Sequence, residues 1–173
     1  HTQCKAGELI TSAMLAVAKT KPDCAILNSG SIRVDDVLSG NLTELDVVRM
    51  LPFGGAVTEV EMRGSLLRKT LDAGVLNKSN GGYLQLRQAR QDASGKWLVA
   101  EKPLDEAKIY RVILPDFLLT GNEYNMAFLK ASLDADGKSS NPDILKINKP
   151  DPKNKRDLRN DVRLALIAYL RGE

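Results

Sequence analysis

Residues 24–33 read Cys-Ala-Ile-Leu-Asn-Ser-Gly-Ser-Ile-Arg. The first five form a short apolar run ending on a polar turn, the pattern of a buried strand. The turn Asn28-Ser29-Gly30-Ser31 then delivers Arg33. Gly30 lets the backbone approach a ligand. Asn28 offers both a donor and an acceptor, and Arg33 a planar fork that grips phosphate or carboxylate. By composition alone the same stretch reads first as a loop with a surface arginine.

Working outward, residues 7–19 carry Leu9, Ile10, Ala13, Met14, Ala16 and Val17 at helical spacing, and Pro22-Asp23 stop that helix. Residues 41–51 place Asp46 three positions after Thr43, a capping-box signature, before Pro52 ends the helix. Residues 56–63 alternate as a half-buried strand, and Gly64-Ser65 opens a helix to about Ala73. Tyr83–Arg87 and Trp97–Ala100 read as strands joined by a polar loop at Asp92–Gly95. Residues 109–114 (IYRVIL) carry the strongest strand pattern, broken by Pro115. Residues 134–156 read as a solvated loop interrupted at Ile144-Leu145. A closing helix, about Asp157–Leu170, puts Leu158, Val162, Leu166 and Tyr169 on one face. Interleaved helices and strands give an α/β or α+β class.

The 173 residues fit one domain, 1–173, and 43% hydrophobic against 27% charged content supplies an ordinary core. The net charge of +3 argues for neither nucleic acid nor an acidic membrane. No run of 18 apolar residues is present, and no basic start with an apolar stretch opens the chain. The sole histidine is His1, expected to fray. A His-based metal site or a Ser-His-Asp triad therefore lacks its central residue. Cys4 and Cys24 are either two buried small side chains or one disulfide tying the first helix to the first strand, which would imply an oxidising compartment. Asn41-Leu42-Thr43 and Asn77-Lys78-Ser79 match the glycosylation pattern.

Phe53, between Pro52 and Gly54-Gly55, and Phe117, after the strand–proline junction, each stand in a loop with little neighbouring bulk. Either packs as a core anchor or presents a ring face to a flat heterocycle. After Phe117 the turn Thr120-Gly121-Asn122-Glu123-Tyr124 brings a carboxylate that can accept bonds from a pair of hydroxyls. The inventory is that of a binding domain: flat apolar surfaces, an arginine and polar loop tips, without a metal cluster or an activated nucleophile.

Taken in order, Gly7-Glu8-Leu9-Ile10, Asn28–Arg33, Gly40–Asp46, Leu51–Gly55, Gly64-Ser65, Gly81–Gln85 and Tyr110–Phe117 resemble the C-terminal domain of the 5′-nucleotidase family, which includes UDP-sugar hydrolases and 2′,3′-cyclic-nucleotide phosphodiesterases. The resemblance runs from about Cys4 to Phe128. It implies a layered α/β/β/α fold and a substrate-binding role beside an N-terminal metallophosphoesterase domain that holds two divalent metal ions and lies outside this chain. On the matched positions, Phe53 and Phe117 would sandwich the base, Arg33 would contact phosphate, and Asn28 would make a polar contact near the base. Glu123, or Asn122 one position earlier, would take the ribose-binding place of the family's aspartate. The resemblance also implies a nucleotide or nucleoside ligand, no cofactor bound by this domain itself, no phosphatase activity in the isolated chain, and a periplasmic or extracellular enzyme. A stand-alone nucleotide-binding module, or the specificity domain of a related phosphoesterase with a non-nucleotide substrate, fits the same residues.

Overall fold

A computed structural model describes residues 2–34 and 37–172; His1 lies outside them. The strands are β1 (Cys24–Asn28), β2 (Val57–Arg63), β3 (Leu84–Arg87), β4 (Ala89–Gln91), β5 (Trp97–Val99), β6 (Lys102–Pro103), β7 (Ile109–Pro115) and β8 (Ile144–Asn148). The helices are α1 (Lys5–Ala16), α2 (Glu44–Met50), α3 (Gly64–Leu76) and α4 (Val162–Arg171).

All five residues of β1 are buried, because both faces of its sheet are covered. The five-stranded sheet has the order β3-β1-β7-β2-β8. β1 runs parallel to β7, with Ala25 opposite Ile113. β3 is antiparallel to β1, with Leu84 opposite Asn28, and β2 is antiparallel to β7, with Val57 opposite Pro115. Alternation along β1 splits the core. Ala25 and Leu27 pack with Ile10 and Met14 of α1, Val47 of α2 and Leu166 of α4. Cys24 and Ile26 face the other way, towards Leu67 and Leu71 of α3 and towards Trp97 and Val99 of the three-stranded sheet β4-β5-β6. Helices and two sheets are thus layered in an α/β domain, as the sequence implies.

Four boundaries differ from the sequence reading, each for a physical reason. α1 stops at Ala16, and the backbone N–H groups of Lys19 and Thr20 instead donate to the Glu59 carboxylate at 2.9 Å each. Residues 84–87 and 97–99 are not one hairpin. The chain switches sheets at Gln88, in the left-handed region at φ 62°, and β5 pairs with β4. The polar stretch 134–156 contains β8, an outer strand on β2. The closing helix starts only at Val162, because Asp161 is extended and accepts from Arg163 N as its N-cap. Residues 158–160 form a separate 3-10 turn.

Of the two alternatives for the cysteines, the disulfide is not formed, and of the two buried thiols only Cys24 is buried, Cys4 being exposed. Cys4 and Cys24 are both free thiols. Cys4 Sγ caps α1, accepting from Gly7 N at 3.3 Å. Cys24 points to the sheet face opposite the one α1 covers. A bond between them would have to cross the sheet.

Candidate functional site

The register brings four turns to one end of the large sheet. β1 and β7 finish there and β2 and β3 start there. Residues 29–33, 51–56, 81–83 and 116–125 therefore share that end. Asp116 N donates to Ala56 O at 2.9 Å, and Gly30 N to Gly81 O at 2.7 Å, stitching adjacent turns together.

Both phenylalanines stand out of the core on these turns: Phe53 is 70% exposed and Phe117 42%. Arg33 comes to Phe53 through α2, whose last carbonyl, Met50 O, accepts from Arg33 N at 2.9 Å; Phe53 follows three residues later. The Arg33 guanidinium carbon lies 5.2 Å from the Phe53 ring centroid, within cation–π range.

Asn28 and Glu123 meet across the same end. Asn28 is only 4% exposed. Its Nδ2 donates to Glu123 Oε2 at 2.7 Å, and its Oδ1 accepts from Ser31 Oγ at 2.9 Å. One N–H and the Oδ1 of its amide thus orient two neighbours. Glu123 Oε1 accepts from Tyr124 N at 2.8 Å, leaving the carboxylate's remaining lone pairs for other donors. Asn122 is exposed and its backbone N–H donates to Thr120 Oγ1 at 3.2 Å. The structure brings Glu123, not Asn122, to Asn28. Gly30 permits a close backbone approach, but to Gly81: a Cβ on Gly30 would lie 3.3 Å from Gly81 Cα.

Asn77 belongs to this assembly and was missed as a site residue. It is fully buried at the C-terminal cap of α3. Its Nδ2 donates to Tyr124 O at 2.7 Å and to Gly82 O at 3.4 Å, and its Oδ1 accepts from Asn125 Nδ2 at 3.0 Å. One side chain therefore holds the Gly81–Gly82 turn and the Glu123 turn together. The available signal was an asparagine just after a helical pattern and just before a glycine turn. The burial also removes Asn77 from the glycosylation reading.

A concavity of about 720 Å³ lies elsewhere, beside β3. Leu71, Val75, Leu84, Arg87 and Trp97 are among its walls, whereas none of Phe53, Phe117, Arg33 or Asn28 lines it. Its charges are already paired, Arg87 with Glu8 and Arg90 with Glu101. The turns at the sheet end carry the unspent chemistry. Among the described residues no group of three or more His, Cys, Asp or Glu is placed to hold a metal ion.

A family model described as 5′-nucleotidase, C-terminal domain, matches residues 1–130. The chain belongs to that family. Rat 5′-nucleotidase is 29% identical over 150 residues, covering 70% of this chain and 26% of the rat protein. Protein UshA of Yersinia enterocolitica is 34% identical over 107 residues, covering 58% of this chain and 19% of UshA. The chain thus spans about a quarter of the length of the curated relatives it matches. Among solved structures, a 5′-nucleotidase precursor from Thermus thermophilus superposes with a TM-score of 0.70 at 22% identity, over 96% of this chain and 32% of that one. A Haemophilus influenzae NAD nucleotidase gives 0.66 at 18% identity, over 99% and 30%. At such identities these two likenesses establish the fold of this 5′-nucleotidase C-terminal domain.

Proposed function

We propose that this domain binds the nucleotide substrate of a 5′-nucleotidase-type hydrolase and presents it for loss of phosphate. Phe53 and Phe117 stack on the two faces of the base, Arg33 contacts the phosphate, and Glu123, held by Asn28, accepts from the ribose hydroxyls. The observation that carries this reading is two exposed phenylalanines on neighbouring turns at the sheet end where Arg33 and the Asn28–Glu123 pair also stand. The family match and the naming of the curated relatives as 5′-nucleotidases support it.

The two divalent metal ions expected for the family supply the hydrolytic chemistry from a metallophosphoesterase domain. This chain's part is to bind and orient, using interactions fixed before the reaction. The same reading assigns the whole enzyme to the periplasm or the cell exterior.

Calorimetric titration with AMP, adenosine and UDP-glucose tests the reading. Binding of at least one is expected. Phe53→Ala and Phe117→Ala are each expected to weaken it by roughly 1–3 kcal/mol, the worth of one stacked base. No binding of any of the three at millimolar concentration, or binding untouched by both substitutions, overturns the reading. The isolated chain is expected not to hydrolyse AMP with or without added divalent metal.

A further inference from the structure

Phe53 projects from a loop whose shape rests on two glycines, and those glycines rest on α4. Gly54 and Gly55 occupy the left-handed region at φ 61° and 104°. Val162 N, in the first turn of α4, donates to Gly55 O at 2.9 Å. Directly behind Gly54 lies an ion pair. Arg163 Nη2 and Nε donate to the Asp161 carboxylate at 2.5–3.1 Å. A Cβ on Gly54 would meet Arg163 Nη2 at 2.6 Å and Asp161 Oδ2 at 2.9 Å. The planar fork and carboxylate form a flat plate, and the glycine backbone lies against it. The Phe53 ring is 70% exposed, with the Arg33 guanidinium carbon 5.2 Å from its centroid, and the Gly54-Gly55 backbone sets the direction from which it projects. Both residues lie beyond position 130, outside the stretch matched by the family model.

We propose that Asp161 and Arg163 are positioning residues for base stacking: their plate fixes the Gly54-Gly55 backbone and thereby aims the Phe53 ring at a nucleobase. The proposal rests on the nucleotide-binding reading and extends the ligand site into the C-terminal segment. It also explains the choice of arginine. A lysine has no planar face to lay against the loop and makes no fork with Asp161.

The test uses the full chain, with Asp161→Asn, Arg163→Ala and Arg163→Lys, and two probes, adenosine and ribose 5-phosphate. Asparagine caps a helix as well as aspartate does, so Asp161→Asn keeps α4 while removing the ion pair and serves if Arg163→Ala does not fold. The three variants are expected to lose about tenfold in adenosine affinity. Ribose 5-phosphate carries no base to stack, and its affinity is expected to stay within about twofold. A purely structural role would weaken both probes together, and that result overturns the proposal. So does adenosine binding at wild-type strength by Asp161→Asn and Arg163→Lys. Wild-type protein that binds neither probe defeats the nucleotide-binding reading itself, and the proposal with it.

Discussion

The Cys24 thiol sits among Ile26, Val112 and α3 side chains without access to solvent. Burial pushes its pKa up to about 12, with the neighbouring Asp23 charge adding to the effect, so thiolate is scarce at neutral pH. Cys4 is exposed. Alkylation of native protein followed by mass spectrometry should add a single label, at Cys4, and a second only after unfolding. Two labels in native protein, or none until a reductant is added, would contradict this placement. At this scale the sequence made the site's parts visible but not their connections. Arg33, Phe53 and Phe117 were legible as loop residues of unusual chemistry. Asn28 was legible too, but its pairing with Glu123 spans 95 residues of chain, and no local pattern encodes that distance.

Helix α2 shows how far local rules reach. Thr43 Oγ1 accepts from Asp46 N while the Asp46 carboxylate accepts from Thr43 N, so the capping box read from spacing is present in full. β1 likewise spans the apolar run 24–28 end to end. β8 was not legible, and its register explains why. A bulge beside Met62 shifts the pairing, so that Ile144 and Ile147 both become buried although they are three residues apart. That spacing breaks the two-residue alternation that marks a half-buried strand. Lys146 and Asn148 complete the disguise. The turns of the candidate site depend on one element terminus, the Asn77 cap of α3. Asn77→Ala removes the partner of the Tyr124 carbonyl and of the Asn125 side-chain amide. Urea unfolding should show a loss of about 1–3 kcal/mol, two hydrogen bonds at about 0.5–1.5 kcal/mol each. An unchanged midpoint would contradict the linking role given to Asn77.

Across the whole molecule, the C-terminal segment is fastened to the sheet by buried charge. Arg159 donates to Glu59 on β2 at 2.7 Å and to Asp157 at 2.8 Å, and all three side chains are buried. Burial alone would raise the Glu59 carboxyl. Hydrogen bonds from Thr20 and the Lys19 and Thr20 backbone, with the charge of Arg159, outweigh it and hold the group below its ordinary value of 4.5. Asp157 is held below 3.8, chiefly by its hydrogen bond from Arg159. A carboxyl that is more acidic folded than unfolded stabilises the fold above its unfolded pKa and ceases to do so as pH falls through its folded pKa. Stability should therefore fall from about pH 4.5 downward, and Arg159→Ala should cost about 3–5 kcal/mol at neutral pH by leaving two buried carboxylates unpaired. Thermal melts of both proteins between pH 3 and 7 check this. A wild-type melting temperature flat below pH 4.5, or a neutral Arg159→Ala, would contradict it. The same fastening keeps α4 against the Phe53 loop, so the fold and the ligand site share their C-terminal support.

The central claim is that two phenylalanines at one end of the sheet grip a base. A crystal structure of this chain with AMP tests it most directly. The adenine ring is expected between Phe53 and Phe117, with the two phenyl planes about 7 Å apart, twice an ordinary carbon contact of ~3.5 Å, and Arg33 turned to the phosphate. AMP lying in the cavity beside β3, or bound at the sheet end with its base touching neither ring, would contradict it.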